Sequence, residues 1–141
     1  MSLTSHLPAD RRTHVDGRLQ TNLMAWLTTV RANGQPECVP VWFLLQDDDT
    51  VLIYSQPGKL KLRNIAANPK VALALDVSDI GRDVIRIDGE AQQRDGYPGA
   101  NEVPAYVSKY TERIAAIFGT VDNFAASFSV PVLVTVTKLH A

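Results

Sequence analysis

The stretch Ala25-Trp26-Leu27-Thr28-Thr29-Val30, then Asn33-Gly34, then Glu37-Cys38-Val39-Pro40-Val41-Trp42-Phe43-Leu44-Leu45 decides the fold. Its first six residues read as a strand rich in β-branched side chains, and Asn33-Gly34 supplies the left-handed pair that a two-residue hairpin turn requires. Residues 37–45 then pair back as a second strand. Asp47-Asp48-Asp49-Thr50 is a polar turn, and Val51–Tyr54 is a third strand, so the segment predicts an antiparallel meander.

Outward on the N-terminal side, Val15, Leu19, Leu23 and Trp26 recur every three or four residues and predict a short amphipathic helix over 15–26. Residues 1–10 are polar and are expected to be flexible. On the C-terminal side, Pro57 and Gly58 break the sheet and residues 59–67 read as a short helix. Asn68-Pro69 ends it, because the residue before a proline is pushed out of the helical region. Residues 70–76 are a fourth strand and 77–83 a loop. Residues 84–94 are a fifth strand, with Ile85, Ile87, Gly89 and Ala91 on one face and Arg86, Asp88, Glu90 and Gln92 on the other. After a loop over 95–101, residues 102–118 carry a helical stripe that includes Val103, Tyr106, Tyr110, Ile114 and Phe118, with Gly119 past its end. A short helix over 122–128 and a sixth strand over 130–139 complete the chain. The prediction is a mainly β chain, a six-stranded antiparallel barrel with α-helices packed outside.

Composition bounds the function. The 141 residues make one domain, 1–141, long enough to bury a core without metal or disulfide staples. Lys plus Arg number 14 against 15 Asp plus Glu, for a net charge of −1, so bulk charge points away from nucleic acid. An apolar share of 45% and a charged share of 21% suit a soluble globular protein. The longest apolar run, Val39–Leu45, contains a proline and is too short to span a bilayer. The first residues carry no apolar signal core, so a cytoplasmic location and no membrane partner are expected.

Most enzyme constellations are absent. No two glycines stand two apart, which removes a G-x-G-x-x-G dinucleotide loop, and the P-loop pattern is absent as well. His6, His14 and His140 lie near the termini and are expected to be solvated, so neither a Ser-His-Asp triad nor a metal site is predicted. Cys38 lies among apolar strand residues and reads as a small buried hydrophobe. One segment does carry chemistry: Tyr54-Ser55-Gln56-Pro57-Gly58-Lys59-Leu60-Lys61-Leu62-Arg63-Asn64. It runs from a strand end through a tight turn into a helix start, where unpaired N–H groups and the helix dipole favour a phosphate. Lys59, Lys61 and Arg63 add cations and Ser55 a hydroxyl. The same cations also suit a solvated helix face, and their i, i+2, i+4 spacing lets Lys61 and at most one neighbour reach a single phosphate. In Val41-Trp42-Phe43, Phe43 reads as core, and Trp42 on the opposite face is free to flank a flat ring or a subunit interface.

The ordered set of these segments, with Gly89-Glu90-Ala91, Val103-Pro104-Ala105-Tyr106, Lys109-Tyr110 and Phe128-Ser129-Val130-Pro131, resembles the pyridoxamine 5′-phosphate oxidase-like, FMN-binding split-barrel flavoproteins. It is most similar to their branch dependent on the deazaflavin coenzyme F420. The likeness runs from Arg18 to Leu139.

The resemblance implies a homodimer of six-stranded split barrels with cofactor sites at the interface and a small-molecule substrate. It implies that Lys61 holds the cofactor phosphate and that Tyr54 and Ser55 line the site. Val41, Trp42 and Phe43 would run along the ring, with Arg63 and Asn64 nearby and Lys59 as an extra cation. The true oxidases usually carry an Arg-Lys pair where this chain has Leu60-Lys61, and they have a C-terminal arginine and tryptophan that this chain lacks. Pyridoxamine phosphate is therefore not the expected substrate. The implied activity is hydride transfer from reduced coenzyme F420 to a conjugated organic substrate, with no catalytic residue assigned. The alternatives are an FMN-dependent oxidoreductase and a non-catalytic flavin or deazaflavin carrier. Haem ranks last, since no histidine falls within the predicted barrel.

Overall fold

A computed structural model describes residues 3–77 and 79–141. Ser78, within the expected 77–83 loop, and the first two residues of the 1–10 segment lie outside the described residues.

The chain order is α1 (Ala9–Thr21), β1 (Ala25–Val30), β2 (Pro36–Val41), β3 (Leu44–Leu45), β4 (Thr50–Ser55), α2 (Leu60–Ala67), β5 (Lys70–Leu75) and β6 (Arg86–Gln93). A 3₁₀ turn (Ala100–Glu102), α3 (Pro104–Phe118), α4 (Val121–Ser127) and β7 (Val130–His140) follow. The strands form one antiparallel sheet in the order β2-β1-β5-β6-β7-β4-β3. Its two edge strands, β2 and β3, are separated by only Trp42 and Phe43 in the chain, so the sheet must curl until its edges meet. This is a mainly β split barrel with peripheral helices. It has seven strands where six were expected, because the expected 37–45 strand is broken at Trp42-Phe43.

The alternation of β4 explains the layering. Val51 and Ile53 join the barrel core with Leu27, Phe43, Leu73, Ile87 and Val134. Leu52 and Tyr54 point the other way, into a second core with Tyr106, Tyr110, Ile114 and Phe124. So β4 is covered on both faces, inside by the barrel and outside by α3 and α4. The expected inward set of β6 is observed: Ile85, Ile87, Gly89 and Ala91 are all buried. Gly89 is required by close approach, since a Cβ there would stand 2.6 Å from Val134 Cγ1 and 2.7 Å from the Thr135 carbonyl oxygen.

Four expectations are corrected. The first helix occupies Ala9–Thr21, not 15–26; it buries Val15 and Leu19, and the chain turns extended at Asn22. Trp26 follows the alternation of β1 and is 40% exposed. The β1–β2 connection is a longer turn: the Gly34 N–H donates to the Arg31 carbonyl (2.8 Å), and in the Asn33-Gly34 pair only Gly34 has positive φ. Cys38 is exposed, because β2 is an edge strand and nothing covers its outer face. The described part of the 1–10 segment is seated on the barrel, with Leu3 and Leu7 packed against its core and Thr4 buried. No described helix is long and apolar enough to cross a membrane.

Candidate functional site

Where β2 ends and β4 runs into α2, a cavity of about 320 Å³ opens between the outer face of the sheet and the α3–α4 pair. The sheet contributes Pro40, Val41, Trp42 and Tyr54, and the helices contribute Tyr106, Ile117, Phe118, Phe124 and Phe128. Lys61, on the first turn of α2, is the one ionisable cation on its wall.

The walls are held by ring packing. Trp42 stacks on Tyr110 (centroids 4.7 Å apart, 3° between planes) and on Phe124 (5.4 Å, 13°). Phe124 stacks in turn on Phe128 at 4.9 Å, and Tyr54 meets Tyr106 edge-to-face at 5.0 Å. Such arrangements suit the quadrupoles of the rings and fix their positions beyond mere area burial. The Tyr54 hydroxyl donates to the Pro98 carbonyl at 2.7 Å. Tyr106 is fully buried, and its hydroxyl has no hydrogen-bond partner.

Lys61 is partly buried and has no ion-pair or hydrogen-bond partner among the described residues. Burial holds its pKa below the usual lysine value, and the neighbouring Lys59 ammonium adds to the effect. An uncompensated, partly desolvated cation at the start of a helix suits an anion such as a phosphate.

The other sequence candidates are dispersed. Phe43 is 1% exposed in the barrel core, as its alternation with Trp42 implied, and the Lys109 ammonium lies 3.9 Å above its ring. Ser55 is buried and its hydroxyl donates to the Gln56 carbonyl at 2.8 Å. Lys59 is exposed at the N-cap of α2. Arg63 and Asn64 lie on another side of α2, along a separate depression with Arg31 and Asn33. The Asn64 amide is committed to structure, donating to Thr29 Oγ1 at 3.0 Å. Val41, Trp42, Tyr54 and Lys61 are thus brought together; Phe43, Ser55, Arg63 and Asn64 are not on the cavity wall.

The sequence reading passed over the helical half of the wall. Tyr106 and Tyr110 belong to the apolar stripe of α3, and the available signal for a site there was a pair of phenols in a buried stripe, groups that usually take a polar partner. The three histidines are less solvated than expected: His6 meets the Leu139 carbonyl (3.1 Å), His140 meets Asp88 (2.8 Å), and His14 meets Asp83. None lines the cavity. A larger groove, of about 830 Å³, runs along β6 and β7; it is lined in part by Glu90, Gln92, Gln93 and Arg94 and contains none of the candidates.

Several solved structures share this fold. A FAD-binding protein from Mesorhizobium loti superposes with a TM-score of 0.66 at 22% identity, over 94% of this chain and 90% of that one. The haem storage protein HutZ of Vibrio cholerae gives 0.65 at 14% identity, over 92% of each chain. A conserved hypothetical protein of Mycobacterium tuberculosis gives 0.70 at 17% identity, over 90% of this chain and 81% of that one. At these identities the likeness shows the fold alone. No curated protein matches the sequence. The sequence pattern of the pyridoxamine 5′-phosphate oxidase family, however, matches residues 12–137, and the chain belongs to that family.

Proposed function

We propose that this chain is a flavin- or deazaflavin-dependent oxidoreductase whose cofactor is anchored at Lys61, with coenzyme F420 as the cofactor and FMN as the alternative. The observation that carries this reading is Lys61 itself, a partly buried cation beside an aromatic cavity with no counter-ion among the described residues. Desolvating a charge is costly unless a partner compensates it. A cofactor phosphate supplies that partner, and the exposed Lys59 ammonium adds attraction for a longer anionic tail.

When bound, the cofactor supplies two-electron hydride chemistry toward a conjugated organic substrate. The chain's own residues bind and orient. Lys61 fixes the phosphate end, the Val41-Trp42 segment offers backbone along the ring, and the rings of α3 and α4 keep water from the cavity. The exposed Trp26 and the uncovered outer face of β2 support a homodimer that completes each site. The family and the FAD-binding neighbour support a flavin-type cofactor. The haem storage neighbour keeps a non-catalytic carrier as the second reading, although no histidine lines this cavity to serve as an axial ligand.

Side-by-side fluorescence titration of the purified apo-protein with FMN and coenzyme F420 tests the proposal. Tight, selective F420 binding supports the deazaflavin assignment, and selective FMN binding moves the protein to the flavin alternative. Binding of neither overturns the reading. Turnover of bound reduced cofactor with conjugated acceptors then separates an oxidoreductase from a carrier.

A further inference from the structure

Six asparagines stand in the chain, and Asn33 is the one followed by glycine. The other five are guarded against cyclisation. The side-chain amide nitrogens of Asn22, Asn64, Asn101 and Asn123 donate to the Asp76 carbonyl, Thr29 Oγ1, Asp122 Oδ1 and the Phe118 carbonyl at 2.9–3.1 Å. Asn68 precedes Pro69, whose nitrogen has no proton to give up. Asn33 differs in every respect. It is exposed on the β1–β2 turn, and its Nδ2 amide has no hydrogen-bond partner among the described residues. Its Oδ1 accepts the Gln35 N–H at 3.0 Å, which folds the side chain forward over the Gly34 peptide. Gly34 has a φ of 88°, and nothing stands within 4 Å of the place a Cβ would take.

We propose that Asn33 is a site of spontaneous covalent modification, at which the Gly34 nitrogen closes on the side chain, expels ammonia and leaves an aspartate or isoaspartate in the turn. Hydroxide takes the Gly34 amide proton, and the nitrogen bonds to Asn33 Cγ. The bond from Cγ to Nδ2 breaks, and Nδ2 takes up a proton and departs as ammonia. Water then opens the five-membered imide. Opening at Cγ gives aspartate, and opening at the main-chain carbonyl gives isoaspartate, whose backbone runs through Cγ. Three features of the turn support the first step. Negative charge builds on Oδ1 as the nitrogen adds, and the Gln35 N–H already points at that oxygen. The leaving nitrogen is held by nothing. The Gly34 N–H is tied by one bond, to the Arg31 carbonyl at 2.8 Å, and a single bond on an exposed turn opens at little cost. The product is also accommodated: Asn33 shares a depression with Arg63, which forms no ion pair among the described residues and can meet the new carboxylate. This inference is independent of the cofactor reading.

The test is incubation of the full-length protein at mildly alkaline pH in water enriched in oxygen-18, followed by tryptic digestion and tandem mass spectrometry. The peptide between Arg31 and Lys59 is expected to gain the mass difference between an amide and a labelled acid, with fragment ions placing the gain at residue 33. Peptides carrying the other five asparagines are expected to keep their mass over the same period. An endoproteinase that cuts before aspartate, but not before isoaspartate, divides the two products. The same incubation in urea separates the folded turn from the bare dipeptide. The folded protein is expected to convert within about tenfold of the unfolded rate, because the turn leaves the reacting atoms free. Asn33→Asp is expected to match the aspartate product on anion exchange and to show no gain at this position. The proposal is overturned if the folded protein keeps Asn33 intact while the unfolded chain converts, since the turn would then protect the residue. It is equally overturned if another asparagine of the folded protein converts first, or if Asn33 is stable in both states.

Discussion

The Tyr110 hydroxyl serves as the sheet partner of Phe43, accepting its N–H at 2.8 Å where β2 has ended and β3 has not begun. The Phe43 carbonyl oxygen is met by the Lys109 ammonium at 2.7 Å, which leaves the Tyr110 proton for the Leu23 carbonyl at 2.7 Å. Two adjacent residues of α3 thus stitch the break in the strand, and the break in turn places Trp42 on the cavity wall.

Tyr110→Phe leaves the buried Phe43 N–H and the Leu23 carbonyl without a partner while keeping the ring stack on Trp42. An unsatisfied buried backbone group costs about 1–3 kcal/mol, so urea denaturation should show a loss in that range. A change below about 0.5 kcal/mol, the scatter of ordinary surface substitutions, would mean that the stitch contributes nothing.

Lys109 gives a pH dependence of definite sign. Burial pushes its ammonium down to about 8 in the folded chain, below the ordinary lysine value of 10.5. Between those values the unfolded chain binds more protons than the folded one, so stability rises with pH across that window. The clean interval is about pH 8 to 9, before the tyrosines of the unfolded chain begin to ionise. The urea midpoint should climb over that interval in the wild type and climb less steeply in Lys109→Met, where only the smaller effect of Lys61 remains; equal slopes would remove Lys109 as the cause.

The particular residues show how far the sequence carried. The inward face of β6 was legible because a two-residue period with one buried face leaves a single consistent register. The helix of Tyr106, Tyr110 and Ile114 was legible for the matching reason at a period of 3.6. The interruption at Trp42-Phe43 was not, since an unbroken apolar run looks the same whether its backbone partners are strands or a tyrosine 67 residues away. The exposure of Cys38 was not legible, because edge position is a property of the sheet order, which no local pattern encodes. The position of Lys61 at the start of a helix was legible from the strand and turn before it. Asn64 was not, because its commitment to Thr29 depends on α2 lying across β1.

Asp83 ties α1 to the segment before β6. Its carboxylate meets His14 and Arg11 directly and Arg18 at 3.0 Å. Those hydrogen bonds, His14 first, hold its pKa well below the usual carboxylate range. A depressed folded pKa contributes stability above the unfolded value near 4, and that stability is lost as pH falls toward the folded value. These groups are partly solvent-exposed, so Asp83→Asn should cost about 0.5–1 kcal/mol at neutral pH. The gap to wild type should close below about pH 4. A gap that persists at low pH would assign the effect to something other than the charge.

A dimer is expected at micromolar concentration, and multi-angle light scattering reads it directly. Trp26 is exposed on β1 beside the uncovered β2 edge, and an exposed aromatic on an open sheet edge invites a second chain. Trp26→Glu should shift the population toward monomer without lowering the urea midpoint of a single chain. A wild type that stays monomeric with full cofactor affinity would remove the interface from the site.

Lys61 and Arg63 provide the sharpest contrast, because they stand two residues apart with equal formal charge. Their spacing turns them to different sides of α2: Lys61 to the aromatic cavity, and Arg63 to the depression beside Arg31 and Asn33. If the cavity anchors an anionic cofactor, Lys61→Ala should weaken its binding by roughly 1.5–3 kcal/mol, the range for a hydrogen bond to a charged group. Arg63→Ala should leave the affinity within twofold, and a modest loss at Lys59 should vanish as salt rises, since an exposed charge acts through a screened field. Titrating the three variants at two ionic strengths separates these outcomes. Equal losses at Lys61 and Arg63 would mean that the anion lies across the N-terminal end of α2, outside the cavity, and the site would have to be redrawn around the helix itself.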